Sequence, residues 1–425
     1  MSDLVQYQAE LVQTRRAIHR YPEVAWTEFV TTERVIKRVR ELGFKTIVGP
    51  ALFDPKFAFD RHDDVIEAAQ KRALEHGVDP EILQEMGGFT GCLAIWETGR
   101  EGPVTAFRFD MDCVNVQETS DPEHVPNKEG FCSQNAGLMH SCGHDCHTSV
   151  GLTLAHWIAD HADQLCGTIK IIYQPAEEGT KGACGIAHSG VLDDVNYFVG
   201  SHVGCGTQEH GICAVTGGFL ATSKLDVTFE GHGIHAAYPE RGRNALMAAC
   251  SSAVQLMAIA RSSEGNSNIN IGTLHAGTGR NVIASHASML MEVRGETGEI
   301  NEYMQESAIR VIEGVSACYG VKCKIDIVGS ATNIASDPEV TDAIISAAQN
   351  VPEIESIGTR HMRSGSEDCS FLMRRIQDHG GKAGFFLFGG NHHDHHQKDF
   401  DIYEDTAMLE ALGVFCNLLK HYNMN

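Results

Sequence analysis

The sequence predicts an α/β protein with a small α+β domain inserted into a larger one. Three observations lead there. The chain has 425 residues, long for one ordinary domain, so two are the natural expectation. Short strand-like runs alternate with helical patterns through the first half of the chain, as in α/β folds. Between Ser223 and Val328 the order becomes β-α-β-β-α-β, that of a ferredoxin-like unit.

Taken in order, residues 5–20 and 27–42 read as helices: Ile36, Val39 and Leu42 recur at helical spacing and Gly43 is a stop signal. Residues 91–96 and 104–109 read as buried strands, 149–161 as a helix, 168–173 and 197–201 as strands. Residues 52–87 form a polar, helix-prone excursion (63–75, then 80–86), expected to be a surface feature rather than a substrate or partner contact. The inserted segment reads as strand 223–230, helix 244–260, strands 268–275 and 288–294, helix 302–318 and strand 321–328; helices and strands resume at Pro338. The expected division is residues 1–217 with 332–425 as one domain and 218–331 as the other.

Composition narrows the function. The formal charge is −23, from 33 basic and 56 acidic residues, which argues against nucleic acid and anionic membranes as partners. No apolar run approaches the roughly 18 residues of a membrane span, and Met1 to Ala25 shows no signal-peptide core. A cytoplasmic setting is expected, with the 14 cysteines as reduced thiols. Cys250, Cys318 and Cys416 sit in apolar runs and are expected to be buried small hydrophobes.

The chemistry concentrates in Met139-His-Ser-Cys-Gly-His-Asp-Cys-His147 and Gln174-Pro-Ala-Glu-Glu-Gly179. Cys142 and His144, two residues apart in a glycine turn, are soft and borderline metal donors. Glu177 and Glu178 follow an apolar strand. Adjacent residues cannot point the same way, so one is expected to ligate and the other to handle protons, which is what a two-metal hydrolase needs. Asp110 and Asp112 lie beyond a strand, placed either to orient a ligand histidine or as ordinary solvated strand-end charges. His202 ends another strand, and His392-His393-Asp394-His395-His396 can supply one further ligand. Ser366-Glu367-Asp368 opens a helix and has the composition of a cap.

These motifs, with Arg16-Ala-Ile-His-Arg-Tyr-Pro-Glu23, Glu28, Arg108-Phe-Asp-Met-Asp112, Asn281-Val-Ile and Gly365-Ser-Glu-Asp368 in the same order, resemble the M20 metallopeptidase/amidohydrolase family across nearly the whole chain. The resemblance implies a mixed-sheet, zinc-peptidase-like catalytic domain with an inserted ferredoxin-like dimerisation (lid) domain. It implies Glu177 as general base and Cys142, His144, Glu178, His202 and His396 as ligands, with His395 the alternative to His396. Two divalent ions are implied, manganese ahead of zinc. His235 would reach across a dimer to polarise the scissile carbonyl, and Asn281 with Arg294 would hold a substrate carboxylate.

The implied substrate is an N-acyl amino acid. The excursion before Gly88–Gly91, the Gly279–Val282 run and Tyr319–Val321 resemble the branch acting on p-aminobenzoyl-glutamate. The alternatives are a general hippurate or auxin-conjugate amidohydrolase, or a silent subunit scaffolding a related active chain. The implied partner is a second copy or a related B-type subunit. Two departures bear on pocket shape: Cys146 stands where the family has glycine, and Gly204-Cys-Gly follows His202.

Overall fold

The computed structural model describes residues 4–424. Six strands precede the inserted segment: β1 (Lys45–Val48), β2 (Cys92–Glu97), β3 (Val104–Asp110), β4 (Thr168–Gln174), β5 (Tyr197–Val203) and β6 (Gly211–Gly218). Four belong to it: β7 (Ala221–Glu230), β8 (Ser267–Ala276), β9 (His286–Gly295) and β10 (Lys322–Ala331). Three follow: β11 (Ile334–Ala335), β12 (Ser356–His361) and β13 (Lys382–Phe388). The chain divides into two compact units, one of residues 1–217, 334–362 and 368–425, the other of 218–333 and 363–367.

The first unit is built on a nine-stranded mixed sheet in the order β1-β2-β4-β3-β5-β13-β6-β11, with β12 beside β6. Its centre is parallel: β3 pairs with β4 and β5, and β13 with β5. These strands read as near-continuous apolar runs because helices cover them, as parallel sheets require. Phe107, Phe109, Phe198, Phe385 and Phe386 are fully buried. Four neighbouring strands therefore end at the same edge, where open α/β sheets gather their ligands.

The helix expected from residue 149 begins at His144 instead and runs to Asp160. Gly143, in the left-handed region at φ 85°, starts it. Its polar first turn carries a loop-like sequence because that turn belongs to the site. Strands β1, β6 and β12 have no counterpart among the sequence expectations: β1 has four residues, β6 is glycine-flanked and β12 is an exposed edge, so none shows a clean apolar period.

The excursion folds as Asp63–Glu75 and Pro80–Met86, as its pattern predicts. It is more than a surface feature. Leu52, Phe53, Ile66, Ala69, Ala73, Leu83 and Met86 are buried. The Arg61 guanidinium lies 3.8 Å from the Phe89 ring centroid, a cation–π contact.

The second unit is a four-stranded antiparallel sheet in the order β10-β7-β9-β8, the ferredoxin-like arrangement, with the helices Ala245–Met257 and Gly298–Tyr319 packed on it. Both helices are capped, by the Asn244 side chain on Met247 N and by Thr297 on Ile300 N. Cys416 is buried as expected, but Cys250 and Cys318 are exposed. The Ala245–Met257 helix buries Ala245, Ala248, Ala249, Ser252 and Leu256. Its opposite face, 247-250-254-257, is apolar and open: Met247, Val254 and Met257 are 42%, 73% and 54% exposed.

The N-terminal helix Gln8–His19 is tied into the first unit by buried charge. His19 donates to Asp145 Oδ2 at 2.8 Å and Glu118 Oε1 at 3.1 Å. Burial opposes a charge on His19, but these hydrogen bonds outweigh it and raise the ring from 6.5 to about 9. Burial likewise opposes ionisation of Glu118, yet His124 and His19 lower it from 4.5 to about 2. The share of stability from His19 is therefore complete below 6.5 and lost as pH rises through about 9. That from Glu118 is present above 4.5 and lost as pH falls through about 2. A His19→Gln chain should melt below the wild type at neutral pH and lose less Tm on moving to alkaline pH, a comparison that scanning calorimetry makes directly.

Candidate metal centre

The carboxyl ends of β3, β4, β5 and β13 deliver the side chains singled out in the sequence. Beyond β3 come Asp110 and Asp112. Beyond β4 comes a tight loop carrying Glu177 and Glu178, in which Ala176, Gly179 and Thr180 have φ of 55°, 84° and 62°. Conformations of that kind persist only where the surroundings over-determine them. Thr180 N bonds Glu177 O (2.7 Å) and Lys181 N bonds Ala176 O (3.1 Å). Glu28 accepts from Ala176 N at 2.9 Å, and Asp368 Oδ2 accepts from Gly182 N and Ala183 N at 3.2 and 3.0 Å. The excursion grips the same loop through Phe59 N on Lys181 O (3.2 Å) and an Asp60–Lys181 ion pair (2.6 Å).

Asp112 joins β3 to this loop. Its Oδ1 accepts from His144 Nδ1 (3.2 Å) and Glu177 N (3.1 Å), and its Oδ2 from Glu178 N (2.9 Å). The carboxylate thus holds the proton of His144 on Nδ1 and turns Nε2 outward as a lone pair. The Val203 peptide does the same at the end of β5. Its carbonyl accepts from His202 Nδ1 (2.7 Å) and His395 Nε2 (3.0 Å), and its N–H donates to His147 Nε2 (2.9 Å). His202 is left with Nε2 as its lone-pair nitrogen, 3.5 Å from Cys142 Sγ. His147, whose Nδ1 is 2.5 Å from Asp110 Oδ1, has both nitrogens engaged.

These donors converge. Cys142, His144 and Glu178 each offer an atom within 4.8 Å of the other two, and so do Cys142, His202 and His395, so the two triads share the sulfur. His396 joins at the Glu178 side, with Nε2 3.0 Å from Glu178 Oε1 and its backbone N–H on Ser141 O (2.7 Å). Glu177 Oε2 lies 4.0 Å from His144 Nε2.

The charge pattern fits a cation. Burial opposes a charge on His144, yet Asp110 and Asp112 raise it from 6.5 to about 10. The Nε2 of that ring is buried with no hydrogen-bond partner. A metal ion at Nε2 meets both conditions, supplying positive charge and occupying the orphaned nitrogen. Burial holds His395 at about 4 and His202 well below the ordinary imidazole value, so both rings are neutral, the form that ligates. Burial also opposes ionisation of Glu178, but His396 and His144 hold it below its usual value. Sulfur, imidazole and carboxylate form a donor set suited to zinc or manganese.

The second unit brings His235 and Asn281 together but not Arg294. Val282 bridges His235, and Ala236 N bonds Asn281 O at 2.9 Å; both side chains are exposed. Arg294 sits near the end of β9, facing Thr222 and Asn268, and pairs with Glu292 at 3.0 Å. From His286 to Arg294 is eight residues of strand, roughly 26 Å at about 3.3 Å each. Within one chain, Asn281 and Arg294 cannot jointly grip one carboxylate.

Two readings gain detail and one question is answered by packing. Asp368 begins the Cys369–Asp378 helix but makes no side-chain cap; it binds Gln174 Nε2 (2.8 Å) and the loop after Glu178 instead. The excursion, expected as a surface feature, holds that same loop. Cys146 is fully buried in the main core, so it fills space beneath the turn. Cys205 has φ 49° and its sulfur lies 4.0 Å from His202 Nδ1. Sequence reasoning missed His147 and the Val203 peptide as orienting groups. The i+3 spacing of His144 and His147 in one helix was the available signal for the first; nothing in a sequence marks a backbone carbonyl. Gly143 is required twice over, by its φ of 85° and because a Cβ would lie 2.5 Å from Val203 Cγ1. Gly143→Ala should lower the metal content of the purified chain severalfold, measured by atomic emission, and cost about 1–3 kcal/mol of stability from the left-handed backbone alone.

Comparison with known proteins agrees with this reading. A model of the peptidase family M20/M25/M40 matches residues 106–421. The chain is 41% identical to a Haemophilus influenzae homolog of one of the subunits of p-aminobenzoyl-glutamate hydrolase, over 97% of this chain and 98% of that one. It is 42% identical to the indole-3-acetyl-aspartic acid hydrolase of Enterobacter agglomerans, over 94% and 93%. The crystal structure of the aminobenzoyl-glutamate utilization protein from Klebsiella pneumoniae superposes with a TM-score of 0.84 at 34% identity, covering 99% of this chain and 97% of that one. The family match spans the whole donor cluster, from Asp110 to His396, and the chain belongs to the peptidase family M20/M25/M40.

Proposed function

We propose that the chain hydrolyses the amide bond between an aromatic acyl group and an acidic amino acid, with p-aminobenzoyl-glutamate the leading substrate. The observation that carries the hydrolytic chemistry is the pairing of two donor triads on Cys142 with an adjacent carboxylate, Glu177, outside both. The named substrates of two relatives, p-aminobenzoyl-glutamate and indole-3-acetyl-aspartic acid, share an aromatic acyl group and an acidic amino acid. The second of them is the alternative substrate.

In this reading Cys142, His144, Glu178, His202 and His396 hold two divalent ions. His396 is the first choice because its Nε2 faces Glu178, and His395, whose Nε2 donates to the Val203 carbonyl and leaves Nδ1 as the lone pair, is the alternative. The carboxylates favour manganese and the sulfur and imidazoles zinc; manganese is the first choice. When bound, the ions supply Lewis acidity for the amide carbonyl and a more acidic water. Glu177 takes the water's proton and passes it to the leaving amine. Asp112 fixes the loop so that Glu178 and Glu177 diverge. His235 polarises the carbonyl oxygen, and Arg294 with Asn281 binds the amino-acid carboxylate.

The roughly 26 Å between the two ends of β9 supports a dimer in which His235 and Asn281 come from one chain and Arg294 from the other. The open 247-250-254-257 stripe offers an apolar face for such pairing, with a second copy or a related B-type subunit. All fourteen cysteines are free thiols, which supports a reducing, cytoplasmic setting. No helix among the described residues is long and apolar enough to cross a membrane.

Two measurements test the proposal. Glu177→Gln should cut kcat for p-aminobenzoate release by about 10²–10⁴ while the bound metal is unchanged; near wild-type turnover in that chain would sink the assignment. Val254→Glu should shift the chain toward monomer in sedimentation analysis and cut activity at least tenfold, whereas an active monomer would remove the case for residues acting in trans.

A further inference from the structure

A second cluster of buried charge surrounds Arg15, on the N-terminal helix and away from the donors themselves. Arg15 is fully buried. Its Nε lies 3.0 Å from Asp145 Oδ2, its Nη2 2.5 Å from Asp401 Oδ1 and its Nη1 3.0 Å from Glu404 Oε2. Asp145 directly follows His144. Asp401 and Glu404 belong to the segment that leaves the late histidines, and Asn391 bridges Ile402 within it. One guanidinium therefore grips two stretches of chain that carry donors from far apart in the sequence. Nearer the donors a backbone bond also ties them, His396 N on Ser141 O at 2.7 Å.

Stability alone does not account for this arrangement. A buried ion cluster repays little more than its own desolvation, and apolar residues of similar volume commonly serve as well. What such a cluster does supply is geometry. The guanidinium fork is planar and rigid, and its three edges point in fixed directions. Arg16 reinforces the late segment from the same helix by pairing with Glu404. His19 reinforces the other side by binding Asp145.

We propose that Arg15 is a positioning residue that sets the separation of the Cys142–His144 turn and the His396 loop, and through it the affinity of the centre for the metal ion those two segments share. The proposal rests on the reading in which His396 is a ligand. Arg15 touches no substrate and moves no proton. Lysine keeps the charge but has no fork, so it can satisfy one or two of the three carboxylates and leaves the spacing unset.

The test is metal binding by the full-length, metal-stripped chain. Wild type, Arg15→Lys and His396→Ala are titrated with cobalt(II), followed by calorimetry and by the thiolate-to-cobalt absorption that reports Cys142. Arg15→Lys should bind its weaker ion at least tenfold less tightly, retain the thiolate band, and recover activity at high cobalt with KM little changed. Unaltered affinities for both ions, with only a lower Tm, would overturn the proposal and make Arg15 a purely structural residue. Unaltered affinities in His396→Ala would instead overturn the ligand reading. If Arg15→Lys does not fold, Asp401→Asn loosens the late-segment side while the Arg15–Asp145 pair survives, and the same tenfold weakening is required of it.

Discussion

The centre depends on Asp112 more than on any donor. One buried carboxylate holds the tautomer of His144 and, through two peptide N–H groups, the position of Glu177 and Glu178. His144, Glu178 and Glu177 are thereby referred to a single fixed point at the end of β3. The loop they sit on is otherwise unfavourable, with left-handed backbone on both sides of the glutamates. It is held because Asp112, Glu28, Asp368 and the excursion all bind it. Preorganisation of this kind is what electrostatic catalysis needs, since the groups do not have to be rearranged as charge develops.

The sheet explains why so many chain segments can meet there. β4, β3, β5 and β13 are adjacent and parallel, so their carboxyl ends lie within a few strand spacings of one another. Each contributes one piece: a carboxylate pair, the glutamates, a histidine, and the approach to the late histidines. The His144–Asp160 helix then runs back across the sheet, buried along nearly its whole length. Its first turn cannot shift without disturbing core packing, because interiors are close-packed.

Much of this was legible in the sequence. β4 announced itself as a β-branched run, β3 and β5 as short buried runs, and the inserted β-α-β-β-α-β unit by its order. Cys142, His144, Glu178 and His202 are brought together much as their motifs suggested. What escaped was of three physical kinds. Elements whose sequence serves another task looked irregular, such as the polar first turn at His144. Short or edge strands such as β1 and β12 carried no period. Exposure was also misread at Cys250 and Cys318, because an apolar run on a helix does not say which face is covered. The separation of Asn281 from Arg294 needed three dimensions: Asn281 precedes β9 and Arg294 sits near its far end.

The Val203 peptide has a consequence for how this site changes over evolutionary time. Its N–H and C=O orient three imidazoles, and every residue except proline possesses both groups. Substitutions at position 203 that fit beside Gly143 therefore leave the wiring intact, whereas a substitution at Asp112 removes the carboxylate that does the holding. The function there is carried by a group that the genetic code almost never alters.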